Sequence, residues 1–200
     1  MAPKYIMRVI RTPMPGKNFE VLDRVIGNVG RSDARSRSTT MGVFSASRLV
    51  ITTTPFESLV EAEQAAESVL SSAESRAEYD ATSALCSSVN IGLSRIIEAP
   101  EGLETANWLH RYVFQSSPTE RPALLAALRE LRSHQDSPKS GITSSLHGPV
   151  VVAATAVESL SQIEERFDAL ANDAGVKART MATLGHVDSW GAGIARVYRH

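Results

Sequence analysis

The feature that most constrains the fold of this chain is an internal repeat with a period of about one hundred residues. Phe56-Glu57-Ser58-Leu59 returns as Val157-Glu158-Ser159-Leu160, and in both copies an apolar run precedes the motif and a helical pattern follows it. The halves align with an offset of 103 residues before the polar loop (Leu22 with Leu125) and of 101 after it. Agreement in order, spacing and identity indicates two copies of one unit.

Each copy has the predicted element order strand, helix, strand, strand, helix, strand. In the first copy the predicted strands are 4–11, 39–46, 49–54 and 89–97. In the second copy they are 107–114, 141–146, 150–155 and 190–198. The second helix of each copy opens on a predicted capping box, Ser58 with Glu61 and Ser159 with Gln162. The acidic stretch 99–104 is the predicted linker between units 1–98 and 105–200.

A unit of this order forms one antiparallel sheet with both helices on one face, and it leaves the other apolar face bare. Two such sheets can cover each other within one chain. The predicted fold class is therefore α+β, with two tandem ferredoxin-like units whose antiparallel sheets pack face to face as an α+β barrel. Fusion supplies the second unit, so we expect a monomer or a homodimer.

Composition excludes several classes of protein. The net charge of −1 gives no general attraction to nucleic acid or to an anionic membrane, and no apolar run approaches the ~20 residues of a membrane helix. Without a signal peptide, the expected location is cytoplasmic. Cys86 is the single cysteine, which excludes an intrachain disulfide, and no histidine pair has metal-binding spacing, so no metal site is expected.

Three features resemble one known superfamily: Pro15-Gly16-Lys17 after the first strand, the hairpin that follows, and the Phe56–Leu59 motif. They resemble the dimeric α+β barrel superfamily in its tandem, single-chain form, most closely its NIPSNAP and antibiotic-biosynthesis-monooxygenase branches. The second copy departs from the pattern, with Pro118-Thr119-Glu120 in place of Pro-Gly-Lys.

The resemblance implies a function as well as a fold. It implies a small-molecule monooxygenase or isomerase that acts on an aromatic or anionic substrate in the barrel cavity, without a cofactor or, as an alternative, with haem. The other hypothesis is a non-catalytic ligand-binding or assembly protein whose barrel is filled by side chains.

Four arginines occupy equivalent strand positions in the two copies: Arg8, Arg95, Arg111 and Arg196. If the first and last strands of a unit pair, two guanidinium groups per unit could converge and bind an anionic ligand. Alternatively, each arginine pairs with a helix carboxylate or lies in water at a strand end.

The other candidate site residues concentrate in the second copy. Trp108, His110 and Tyr112 share one face of a strand, and Trp190 opens the last strand. We expect His110 to act as a base and Arg111 to hold developing negative charge, with the aromatic rings binding the ligand. His186 precedes the last strand, close to Asp188 in sequence.

Equivalent positions differ between the copies: Met7 corresponds to His110, Val9 to Tyr112 and Val89 to Trp190. This divergence predicts a pocket between the sheets that is biased toward the second unit. Strand alternation does not decide which face His110 occupies. The alternative is that His110 faces the helices and bonds to a carboxylate such as Glu164 or Glu165.

Overall fold

The computed structural model describes residues 2–29, 38–44, 48–134 and 139–199. Its strands are β1 (Tyr5–Pro13), β2 (Ser38–Phe44), β3 (Val50–Phe56), β4 (Cys86–Glu98), β5 (Trp108–Gln115), β6 (Gly141–Ser145), β7 (Val150–Val157) and β8 (Ser189–Arg199). Its helices are α1 (Asn18–Val29), α2 (Leu59–Ser71), α3 (Ala73–Ser83), α4 (Arg121–Ser133), α5 (Ser161–Asn172) and α6 (Ala174–Leu184).

The chain folds into two compact units. The first comprises Met1–Ile96 with Arg196–His200, and the second comprises Ile97–Ala195. Stretch 99–104, predicted as a linker, therefore belongs to the second unit, and the last five residues group with the first. Within the second unit, Arg132 Nη2 of α4 donates a hydrogen bond to the Ala99 carbonyl at 2.9 Å, which fastens this stretch to α4.

The first unit has the strand order β4-β1-β3-β2, the order expected of a ferredoxin-like sheet. Its core joins α1 to β2 and β3 through Val21, Leu22, Val25, Met41 and Val50. Along β3 every second side chain from Val50 to Phe56 is buried, and the side chains between them are half-buried on the opposite face. Val50 lies opposite Arg11 of β1, so the odd-numbered residues of β1 face the helices.

The second unit repeats this arrangement with the order β8-β5-β7-β6. Leu124 and Leu128 of α4 pack on Phe114 of β5, Ile142 of β6 and Val151 of β7. Phe114 and Val151 are cross-strand partners, which fixes the helix-facing side of β5 as the side of its even-numbered residues.

All eight strands belong to one closed antiparallel hydrogen-bonding order, β1-β3-β2-β8-β5-β7-β6-β4. This confirms the predicted fold class, an α+β barrel built from two tandem ferredoxin-like units.

The second helix of each unit is broken in two. In the first unit Ser72 ends α2 and caps α3, because its Oγ accepts the Ser75 N–H at 3.1 Å. In the second unit Asp173 has this role and accepts the Gly175 and Val176 N–H groups at 2.7 and 3.0 Å. The element order predicted from the sequence has one helix at this place in each unit. No described helix is long and apolar enough to cross a membrane.

The two capping boxes differ in outcome. Ser58 Oγ accepts the Glu61 N–H at 3.2 Å, as predicted, while Glu61 Oε2 accepts the Glu57 N–H at 2.6 Å. In the second copy only the return contact forms, from the Glu158 N–H to Gln162 Oε1 at 3.0 Å. The Ser159 hydroxyl bonds to the Ser161 hydroxyl at 2.7 Å instead, and α5 begins at Ser161.

Candidate ligand site on the second unit

His110 lies on the helix-facing side of β5. It shares that face with Tyr112 and Phe114, and its ring centroid is 4.6 Å from that of Tyr112 and 5.6 Å from that of Phe167 on α5. The structure thus agrees with the alternative orientation given above, in which His110 faces the helices. The charged neighbour of the imidazole is the Arg166 cation, however, and not a carboxylate of Glu164 or Glu165.

The environment of His110 keeps its imidazole neutral. Only 6% of the residue is exposed, and this burial lowers the pKa of His110 below its ordinary value. The nearby Arg166 cation lowers that pKa further. A neutral imidazole can accept a proton or a hydrogen bond at physiological pH, as a general base must.

Aromatic rings extend from His110 to the surface. Tyr112 stacks nearly parallel to Phe114, with centroids 6.1 Å apart, and its ring lies 6.2 Å from that of Trp190 on β8. Trp190 is 53% exposed and Phe167 is 50% exposed. We call His110, Tyr112, Phe114, Phe167 and Trp190 the aromatic cluster. It has a buried floor and a half-exposed rim, the arrangement in which planar ligands find both apolar contact and an entrance.

The first unit carries no equivalent of this cluster. At offsets of 103 and 101, His110, Tyr112, Arg166, Phe167 and Trp190 correspond to Met7, Val9, Ala65, Ala66 and Val89. Because the first unit builds the same order of elements with small or aliphatic residues at these positions, the fold does not require the ionisable and aromatic side chains. Arg166 and Phe167 were not predicted as site residues, although alignment of the two repeats pairs them with Ala65 and Ala66.

The predicted convergence of arginines in the first unit is wrong. Arg8 lies opposite Gly92 in the β1–β4 register, and Tyr5 lies opposite Arg95. Arg8 therefore points away from the helices, where its Nη1 donates to Ser94 Oγ at 3.3 Å, whereas Arg95 is exposed on the helix-facing side. The odd separation between Gly92 and Arg95 puts the two guanidinium groups on opposite faces.

The predicted catalytic pair of the second unit is also separated. Arg111 follows His110 directly in β5, so its side chain lies on the opposite face. Burial there lowers the pKa of Arg111 to about 10. Arg196 is an even number of residues beyond Trp190 in β8, so strand alternation puts it on the face of Trp190.

The His186 ring is hydrogen-bonded to the carboxylate of Glu120. Its Nδ1 lies 2.9 Å from Glu120 Oε2 at the start of α4, while the backbone N–H of Asp188 donates to the Gln115 carbonyl. Ser116 Oγ donates to the His186 carbonyl at 2.8 Å. These three bonds attach the loop before β8 to the end of β5 and to the start of α4. Trp108 begins β5 on the face of His110, opposite Val157.

A surface groove of about 280 Å³ lies elsewhere in the second unit. It is lined by Glu98, Glu101, Arg129, Arg132, Ser133 and Lys139. Arg129 Nε lies 2.9 Å from Glu98 Oε1 and Arg132 Nη2 lies 3.6 Å from Glu101 Oε1. These charges neutralise one another across the groove, so we interpret it as the seam between stretch 97–104 and α4.

The described residues contain no group of three or more His, Cys, Asp and Glu side chains that could hold a metal ion. The haem alternative would rely on His110 as the iron ligand. That imidazole is enclosed between the rings of Tyr112 and Phe167, with the Arg166 cation beside it. We assign no step to haem.

Comparison with known proteins finds similarity in structure and not in sequence. No protein-family model matches the sequence, and no curated protein matches it. Among solved structures, an anthrone oxidase-like protein matches with a TM-score of 0.72 at 12% identity, covering 100% of this chain and 94% of its own. A proposed monooxygenase from Fusobacterium nucleatum matches with a TM-score of 0.70 at 6% identity, covering 98% and 94%.

A chlorite dismutase from Candidatus Nitrospira defluvii matches with a TM-score of 0.54 at 11% identity, covering 98% of this chain and 92% of its own. At sequence identities this low, structural similarity shows a shared fold and not a shared reaction. The resemblance seen in the sequence is therefore confirmed at the level of the fold: this chain has the α+β barrel fold of these proteins.

Proposed function

We propose that this protein is an enzyme that oxidises a small aromatic substrate with molecular oxygen, without a cofactor, at the aromatic cluster of the second unit. The observation that carries the proposal is the buried, neutral imidazole of His110 beneath a half-exposed aromatic rim, in one repeat and not the other. The names of two neighbours of similar fold, an anthrone oxidase-like protein and a proposed monooxygenase, support this reaction class.

The geometry suits one sequence of events. A planar substrate stacks against the exposed rings of Trp190 and Phe167 and brings an acidic C–H group to His110. The imidazole accepts that proton, and the resulting carbanion, delocalised as an enolate, is electron-rich enough to reduce O2. For a methylene carbon the reaction balances as CH2 plus O2 giving C=O plus H2O. The carbon loses four electrons, one oxygen atom becomes the carbonyl, and the other leaves as water.

Removal of the proton is the step that this chain must assist. The lowered pKa of His110 leaves the base unprotonated at neutral pH, and the low-polarity floor of the cluster strengthens any charge interaction with the anion. Arg111 takes no part in this step, because it lies on the opposite face of β5.

Oxygen uptake with anthrone as the probe substrate tests the proposal. Wild-type protein should consume O2 above the buffer rate and form the quinone in equal amount. His110→Gln should lose at least ~100-fold in rate, within the range of general-base contributions. Arg111→Gln, on the adjacent residue but the opposite face, should retain activity.

Each other outcome has a defined meaning. Anthrone turnover by His110→Gln at the wild-type rate would overturn the proposed role of the imidazole. Saturable binding without oxygen uptake would favour an isomerase or the non-catalytic binding protein. A Soret absorption band in the purified protein would replace the cofactor-free reaction by a haem reaction.

A further inference from the structure

We propose that Arg166 binds an anionic oxygen of the ligand, so that the site selects aromatic compounds carrying a carboxylate, phenolate or enolate. This inference rests on the proposed function only in assigning the ligand to the aromatic cluster. The barrel fold by itself supplies neither the cation of Arg166 nor a preference for anionic ligands.

The first observation is a hydrogen-bond donor without an acceptor. Arg166 Nη1 is buried, and no acceptor within hydrogen-bond distance is found among the described residues. A buried N–H group that has left water without finding a partner costs about 1–3 kcal/mol, and more when the group is charged. An oxygen atom of a bound ligand is one way to supply the missing acceptor.

Other buried nitrogens also lack a partner in the described part of the chain, so the missing acceptor alone does not define a site. They are Arg121 Nε, Arg132 Nε, His134 Nδ1 and Arg179 Nε. Arg166 differs in two respects. Its unpartnered atom is a terminal guanidinium nitrogen, the kind that binds carboxylate oxygens, and its charge acts on His110 and Tyr112 at the floor of the aromatic cluster.

The second observation is the charge balance around the guanidinium. Glu165, the preceding residue in the chain, raises the pKa of Arg166 by its negative charge. No ion pair joins Glu165 to Arg166 in the described structure, and burial outweighs its effect, so that the pKa of Arg166 is lowered overall. A partly desolvated cation without a bound counter-ion attracts an anion more strongly than an exposed arginine does.

The third observation is the position of Arg166 in the repeat. Its equivalent in the first unit is Ala65, and the neighbouring Phe167 replaces Ala66. Helix α2 shows that this position accepts alanine within the same element. The cation and the aromatic ring thus appear together, beside a histidine and a tyrosine that are also specific to the second unit.

Calorimetric titration with two isosteric probes tests the inference. Naphthalene carboxylate and its neutral carboxamide have nearly the same shape, and at about pH 8 the acid is fully ionised while His110 is neutral. Wild-type protein should bind the carboxylate at least ~10-fold more tightly, a difference of about 1.4 kcal/mol. Arg166→Gln should bind both probes with the wild-type affinity for the carboxamide.

Arg179→Gln is the matched control, because it removes a guanidinium with an unpartnered Nε from α6 of the same unit. It should keep the preference for the carboxylate. If wild-type protein binds both probes equally, Arg166 selects no anion, although the aromatic site stands. If wild-type protein binds neither, the proposed function fails together with this inference.

A second measurement decides the matter if Arg166→Gln does not fold. An anion bound to Arg166 offsets the cation beside His110, so the imidazole pKa measured by NMR in wild-type protein should be higher in the carboxylate complex than in the carboxamide complex. Equal imidazole pKa values in the two complexes would overturn the inference.

Discussion

The ring of His110 lies 5.6 Å from the ring of Phe167, centroid to centroid, and this contact joins β5 to α5. It places the imidazole between the sheet and the helices of the second unit, and not on the opposite strand face that Arg111 occupies. The contact therefore determines which residues can act together: His110 shares its surroundings with Tyr112, Arg166 and Phe167.

The protonation of His110 predicts a pH dependence of stability. The folded state holds the pKa of His110 below its ordinary value, so between that lowered pKa and about 6.5 the unfolded chain binds a proton that the folded protein does not. The free energy of unfolding should fall as pH drops below about 6.5, by up to ~1.4 kcal/mol per pH unit for this one group.

Urea denaturation of the wild type and of His110→Met, from about pH 5 to pH 8, measures this dependence. Methionine is the residue at the equivalent position of the first unit, Met7. The variant should lack this component of the acid destabilisation. Superimposable pH profiles for the two proteins would show that His110 titrates normally.

Trp190 should contribute to binding more than to stability. Because 53% of the residue is exposed, Trp190→Ala should change the free energy of unfolding by less than ~1 kcal/mol and weaken binding of naphthalene carboxylate about tenfold. Phe114→Ala removes a ring that is 5% exposed in the same cluster and should cost about 3–5 kcal/mol. Chemical denaturation and calorimetry compare the two, and a Trp190→Ala variant with the larger loss of stability would contradict this assignment.

The break between α2 and α3 should depend on one hydroxyl. Ser72 Oγ accepts the Ser75 N–H at 3.1 Å, and Ser72→Ala should lower the free energy of unfolding by about 1 kcal/mol. The adjacent Ser71 hydroxyl donates to the Ser68 carbonyl within α2 and caps nothing, so Ser71→Ala should change stability by less than ~0.5 kcal/mol. Equal losses in urea denaturation would show that the Ser72 cap is not the cause.

The repeat made the fold predictable. The same order of strands and helices recurs after about one hundred residues, which indicates two copies of one unit. Each copy forms a sheet with one uncovered apolar face, and there are few ways in which such a face can be buried. The N-terminal cap of α2 was also predictable from the sequence, as the Ser58–Glu61 contact shows. The Asp173 cap was missed because it lacks the capping-box pattern: Asp173 accepts from Gly175 and Val176 with no return contact.

The site was less predictable, for a physical reason. Alternation along β5 separates Arg111 from His110 but does not say which of them faces the helices. A one-residue change in the β1–β4 register would put Arg8 and Arg95 on the same face. Tertiary packing of Phe114 against α4 resolves the first question. Arg166 could have been found by extending the comparison of the repeats from the strands to the helices.

The most direct test of the central claim is a titration of naphthalene carboxylate into a variant that gives the second unit the residues of the first. His110→Met, Tyr112→Val and Trp190→Val together reproduce Met7, Val9 and Val89. Circular dichroism should confirm an intact fold, and binding should weaken by at least ~100-fold relative to wild type, about 2.7 kcal/mol. Wild-type affinity in this folded variant would contradict the claim that the second unit carries the ligand site at its aromatic cluster.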